Sequence, residues 1–157
     1  MKKIILATIL FLAAFQCFAQ QEYKATVFGV RSDGVTDNTS SIQYAIDFIS
    51  QKGGGVLVFY VGRYLTGSVN LRSNVSIRLA EACVIVGSDN VYNYRGQDAI
   101  FNGKDVTNGS IFGKGVIEGH RSDKALISLD GCSDITIDGL KLIGTSSADI
   151  VRNNCGK

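Results

Sequence analysis

The sequence predicts an all-β solenoid, a stack of short same-direction strands closed at its N-terminal end by one α-helix. Three observations predict it. Short β-branched runs cut by Gly, Asn and Asp fill most of the chain, two of them repeat one another at a fixed offset, and a single amphipathic stretch precedes them all.

The chain opens on a basic start, Met1 to Lys3, an apolar run from Ile4 to Phe15, and small residues at Cys17 and Ala19. That is the pattern of a secretory signal over residues 1–19, which leaves 20–157 as the mature domain of an exported, periplasmic or extracellular protein. A membrane span needs about 20 apolar residues, and this run is shorter, with Gln16, Gln20 and Gln21 close behind. Phe15 and Gln16 also occupy the places where a lipoprotein anchored through Cys17 would carry small residues. Without Lys2 and Lys3, the 16 basic residues fall to parity with the 14 acidic ones. Such a balance argues against a nucleic-acid partner, and no membrane partner is expected once the signal is gone.

Asp33 and Asp37 are expected to hold a turn through side-chain to backbone hydrogen bonds; as calcium ligands they are too few. Beyond them Ile42, Ala45, Ile46 and Ile49 fall on one apolar stripe, predicting a helix over about Ser40 to Gln51. Ser40 and Gln43 have the spacing of a capping box, and Gly53, Gly54 and Gly55 end the element.

The period then changes from helical to alternating. Val56 to Tyr60, Val75 to Leu79, Cys83 to Gly87 and Ile135 to Gly144 read as strands, with Val75, Ile77 and Leu79 on one side and Ser76 and Arg78 on the other. "GSIFGKGVIEG" from Gly109 aligns with "ITIDGLKLIGT" from Ile135 at an offset of 26, placing Ile111 on Ile137, Gly113 on Gly139, Val116 on Leu142 and Ile117 on Ile143. With a two-residue gap, Ile77 falls on Ile111 and Ile85 on Ile117. Strand, turn and strand repeated in this way bury each coil against the next. A β-sandwich is the alternative, with Asn102-Gly103 and Asp130-Gly131 as its weak hairpin turns.

Reactive side chains are sparse. Cys83 and Cys132 border apolar runs and read as packed thiols, while Cys155 near the end is the cysteine expected to be exposed. No Cys or His pairing indicates a metal. His120 reads as a surface loop residue. "GKGVIEG" has its third glycine misplaced for a dinucleotide loop. Asp134 and Asp138 share a strand and would stand about 13 Å apart, too far for a glycosidase pair, which needs about 5 to 9.5 Å. In the offset of 26, Glu118 lies over Gly144 and Asp138 over Phe112, so those two do not meet either. One loop suits a sugar, since Tyr92, Tyr94 and Arg95 in "NVYNYRG" combine aromatic faces with a guanidinium; a loop that tucks its tyrosines onto the coil is the equal alternative.

The order "FGVRSDGVTDNTSSIQYAID", "GGGVLVF", "GRYLTGSVNLRSNVSIRLAEACVIVGS", "GKGVIEG" and "DITIDGLKLIG" resembles the pectate-lyase-like superfamily, in its polygalacturonase and rhamnogalacturonase group, from Phe28 to about Ile150. The resemblance implies a right-handed, single-stranded parallel β-helix whose helix plugs the N-terminal end. It departs from the group in having no proline, with Tyr60 where a strand usually ends in one. It further implies acid and base carboxylates on later coils, carried by Asn-x-Asp, Asp-Asp, Gly-His-Gly and Arg-x-Lys, none of which follows Ile150.

The expectation is therefore the N-terminal part of an exported polygalacturonase-like glycoside hydrolase on pectic polysaccharide, with no catalytic residue and no cofactor in this chain. A non-catalytic carbohydrate-binding β-helix is the alternative, as is a module that docks a protein at its uncapped C-terminal coil. The last strand is expected near Ile143, followed by a segment too short and too polar to cap the solenoid.

Overall fold

The computed structural model describes residues 20–121, 123–144 and 149–156; the predicted signal lies outside them. In chain order the elements are β1 (Glu22–Lys24) and the helix α1 (Thr39–Gln51), followed by coils. The first full coil runs β2 (Gly55–Phe59), β3 (Gly62–Thr66) and β4 (Val69–Asn70); the second runs β5 (Val75–Leu79), β6 (Cys83–Gly87) and β7 (Ala99–Lys104). Next come β8 (Thr107–Gly113), β9 (Val116–Glu118) and β10 (Ala125–Asp130), then β11 (Ser133–Asp138), β12 (Lys141–Ile143) and β13 (Ile150–Asn153).

These strands form three sheets, ordered β1-β2-β5-β8-β11, β3-β6-β9-β12 and β4-β7-β10-β13. Every strand pairing among the described residues is parallel. The chain visits all three sheets before returning to the first, and parallel crossovers wind right-handed, so the architecture is a right-handed parallel β-helix. Parallel pairing throughout removes the β-sandwich. Asn102-Gly103 lies within β7, and Asp130-Gly131 is a corner between β10 and β11 rather than a hairpin.

The core consists of columns of side chains, one column per sheet. Leu57, Ile77, Ile111 and Ile137 stack on the first sheet, and Tyr64, Ile85, Ile117 and Leu142 on the second. Val69, Phe101, Ile127 and Ile150 stack on the third. Burial of each such side chain contributes about 1.5 to 3 kcal/mol. The sequence repeat is thus a stacking register, and Ile77, Ile111 and Ile137 lie together as their alignment requires.

Two details of that register differ. Val116 pairs with Lys141 and Ile117 with Leu142, one position from the expected Leu142 and Ile143. Lys114 and Gly115 cross from β8 to β9, which is one residue more than the crossing before β12 needs after Gly139. The shorter crossing turns Leu142 inward over Ile117 and leaves Ile143 42% exposed. Ile143 is also not in the last strand, because β13 pairs with β10 and extends the third sheet. A coil needs one inward apolar residue per strand here, and Ile150 over Ile127 supplies it despite the polar surroundings.

The helix plugs the N-terminal end: Ile42, Ala45, Ile46 and Ile49 are fully buried in the common core. It begins one residue earlier than expected, and no capping box forms, since the Asn38 cap makes no side-chain capping bond. Asn38 is committed elsewhere, accepting from Arg31 N at 2.8 Å and donating to Arg31 O at 2.9 Å. Gln43 instead reaches the exposed edge of β4, accepting from Asn70 N at 2.7 Å and donating to Asn70 O at 3.1 Å. At the other end Gly54 has φ of 111°, and a Cβ there would lie 2.4 Å from Asn74 O, so only glycine fits. Before the helix, Asp33 accepts from Val35 N at 3.0 Å and Thr36 N at 2.8 Å, the turn expected of it.

Cys83 and Cys132 are free and buried, and burial pushes the Cys83 thiol up to about 12. Cys155 is half-buried against the core rather than exposed. Its corner repeats the previous one: Gly131 and Asn154 have φ of 64° and 52°, and Gly156 N donates to Cys132 O at 2.9 Å.

Candidate functional site

Pleating turns alternate residues of the third sheet outward, and these line a polar groove. Asn70, Asn102 and Ser128 stand side by side across three coils, and Lys104 stands beside Asp130. Gln97 and Asp98 line the same groove at the start of β7. The Asn102 amide nitrogen is used within the fold, donating to Ala99 O at 2.8 Å. Amides, a hydroxyl, a carboxylate and an ammonium along one strip are donors and acceptors suited to a run of sugar hydroxyls and carboxylates.

The groove can hold a sugar, but its two carboxylates cannot cleave one together. Asp98 precedes β7, and Asp130 lies beside the last residue of that strand, Lys104, a separation of about 20 Å at strand rise. Hydrolysis needs about 5 to 9.5 Å between acid and partner.

Gln97 and Asp98 end the segment that makes the β5-to-β8 coil long. Ser76 and Ser110 are neighbours although 34 residues apart, whereas Ser110 and Thr136 are 26 apart. The extra length includes a 3₁₀ turn over Val91–Tyr94, capped by Asn90 accepting from Tyr92 N at 3.0 Å. Tyr92 is 85% exposed at its tip. Tyr94 is not available to a ligand, which corrects the expected pair of sugar-facing tyrosines: it is 1% exposed, and burial pushes its phenol up to about 12. The loop must close onto the solenoid, and Tyr94 is the apolar surface with which it does so. Arg95 stays at the surface, donating to Ser40 Oγ at 2.9 Å and fastening the loop to α1.

Ionic side chains collect on the second sheet. Glu118 accepts from His120 at 3.2 Å and pairs with Arg63 at 3.1 Å, and His120 Nδ1 lies 3.7 Å from Asp89. The His120 hydrogen bond first, then Arg63, hold the Glu118 carboxyl low against the opposing effect of burial. A carboxyl held ionised is no general acid. Glu118 sits beside Ile143, one place from the expected Gly144, while Asp138 sits beside Phe112 as expected. The two belong to different sheets, so they do not form a pair. Among the described residues, no group of three His, Cys, Asp or Glu is placed to hold a metal ion.

Sequence reasoning missed the groove because Asn102 and Asp130 stood out only as weak hairpin candidates of the β-sandwich alternative. The offset of 26 that links Lys104 to Asp130 was the available signal. It also passed over Tyr44 and Phe48, whose spacing of four places both on one helix face.

No protein-family model matches the sequence. A glycosyl hydrolase assignment attaches to a solved structure from Parabacteroides merdae ATCC 43184 that is 40% identical, with TM-score 0.80 over 86% of this chain and 70% of that one. The exo-poly-α-D-galacturonosidase of Dickeya chrysanthemi is 30% identical over 115 residues, covering 60% of this chain and 19% of its own length. An exopolygalacturonase from Thermotoga maritima shares the fold at TM-score 0.73 and 18% identity, over 86% of this chain and 46% of that one. The chain thus spans a fifth or less of the curated relatives it matches.

Proposed function

We propose, for a chain that belongs to the pectate-lyase-like superfamily and within it to the polygalacturonase and rhamnogalacturonase group, that it forms the N-terminal coils of an exported glycoside hydrolase acting on pectic or related acidic polysaccharide. Residues 1–19 direct the export, and residues 20–157 begin the catalytic β-helix.

The observation that carries this reading is the groove on the third sheet. Its polar residues continue in register from β4 through β7 to β10, so a ligand lying across the coils meets equivalent positions in succession. In this reading the groove positions polysaccharide: Asn70, Asn102 and Ser128 bind hydroxyls, Lys104 meets a uronate carboxylate, and Tyr92, exposed on the loop that leads into Gln97 and Asp98, stacks on a sugar face. The acid and base carboxylates come from coils C-terminal to β13, because Asp98 and Asp130 are too far apart to serve.

Titration of the purified chain with oligogalacturonides tests this. Saturable binding that Lys104→Ala and Tyr92→Ala each weaken is expected, together with no release of reducing ends above background. Absence of binding would remove the groove reading, and measurable turnover would show a catalytic pair within these coils.

A further inference from the structure

A plug helix needs one apolar stripe, and α1 has two. The inner stripe is fully buried in the core. The outer one, Tyr44 and Phe48, meets Phe28 from the short 3₁₀ turn Ala25–Phe28 and Tyr23 from β1. Ring centroids lie 5.5 Å apart for Phe28 and Phe48, 6.2 Å for Phe28 and Tyr44, and 6.4 Å for Tyr44 and Phe48. Anchoring the N-terminal segment accounts for Tyr23, Phe28 and Phe48, which pack partly against the core. It does not account for Tyr44, which is 62% exposed, or for Val27 beside Phe28, which is 75% exposed.

The charge set against these rings is positive: Lys52 holds its ammonium 5.5 Å from the Phe48 ring centroid. The carboxylates closest in sequence are engaged elsewhere: Asp47 with Arg72 at 2.7 Å and Glu22 with Arg78 at 3.0 Å. Among the described residues, Lys52 forms no ion pair.

We propose that this aromatic face of α1, with Tyr44 exposed on it and Lys52 at its margin, is a second polysaccharide-contact surface that takes an anionic chain, separate from the groove on the third sheet. Aromatic rings supply flat apolar faces for the C–H faces of pyranose rings, and the Lys52 ammonium attracts carboxylates or sulfates. A second copy of this chain fits less well. A two-fold interface would bring the patch against itself and its cationic margin against the same margin, and like charges facing each other oppose association. The surface lies at the plugged end, and none of its residues lines the groove.

Affinity electrophoresis of the full chain in gels containing polygalacturonate, with hydroxyethylcellulose as the neutral comparison, tests the proposal. A Tyr92→Ala/Lys104→Ala background isolates it from the groove. Retardation by polygalacturonate alone is expected to persist in that background, and Tyr44→Ala should weaken it about tenfold. Lys52→Ala should weaken it less and flatten its salt dependence. Both positions are at the surface, and unchanged circular dichroism would show that the variants fold. Retardation unaffected by Tyr44→Ala and Lys52→Ala overturns the proposal. So does concentration-dependent dimerisation that Tyr44→Ala abolishes without any change in retardation, which would make the face an interface between copies.

Discussion

The Asn108 side-chain amide donates to Asn74 Oδ1 at 2.9 Å across neighbouring coils, and both residues have positive φ, 54° and 64°. Asp134 repeats the conformation one coil further on, with φ of 54°. Each stands where the chain turns from the third sheet into the first, just ahead of β5 and within β8 and β11. The corner demands a left-handed residue, and a short polar side chain tolerates that conformation while bonding to its equivalent above.

Asn108→Ala should therefore lose both contributions, about 2 kcal/mol in urea unfolding, from the left-handed backbone and one hydrogen bond. Asn108→Gly keeps the backbone freedom and should lose about half of that. Equal losses in the two variants would show that φ is not the constraint.

Tyr94 separates packing from binding. Tyr94→Phe should leave oligogalacturonide affinity and stability nearly unchanged, whereas Tyr94→Ala should cost about 3 to 5 kcal/mol in urea unfolding by opening the core beneath the loop. Lost affinity in a stably folded Tyr94→Phe protein would place the phenol in the ligand site after all.

Burial raises the folded-state values of Tyr94 and Cys83 to about 12, above the 10.0 and 9.0 of the free groups. Between those values and 12 the unfolded chain has released protons that the folded chain retains, so stability is full below about pH 9 and falls as pH rises toward 12. Urea midpoints measured from pH 8 to 11 should fall, and Cys83→Ala should shallow the decline. A flat profile would contradict the burial of these groups.

At the acid end Asp33 behaves in the opposite way. Hydrogen bonds from the Thr36 side chain, then from the backbone of Thr36 and Val35, lower its carboxyl from 3.8 to about 2. Its contribution is present above pH 4 and is lost as pH falls toward 2, because the unfolded chain takes up the proton first. Melting temperatures across that window should decline less steeply in Asp33→Asn; identical slopes would mean that the turn carries no pH-dependent stability.

Gly54→Ala should destabilise strongly, since a Cβ meets Asn74 O at 2.4 Å and φ is 111°. Loss of about 2 kcal/mol or more in urea unfolding is expected. A neutral result would show that the turn after α1 can relax.

Much of this was legible along the chain. The stripe Ile42, Ala45, Ile46 and Ile49 identified the plug helix, and the offset between Ile111 and Ile137 identified the stacking, because both depend only on spacing. The loop and the groove were not so legible. Tyr92 and Tyr94 are two residues apart in one polar segment, yet one is 85% exposed and the other 1%, a difference set by how a 3₁₀ turn settles on coils distant in sequence.

By itself, then, the sequence determined the local periods of the plug helix and of the strands β2, β5, β6, β8, β9, β11 and β12, whereas β3 and the strands of the third sheet carried too little apolar alternation to stand out. Tertiary structure alone decided which residues share a surface. Asn70, Asn102 and Ser128 come from three coils, and Tyr44 meets Phe28 only because the N-terminal turn folds across α1. Coil length varies between neighbours, so the register that brings such residues together is set by stacked apolar side chains, not by any constant repeat.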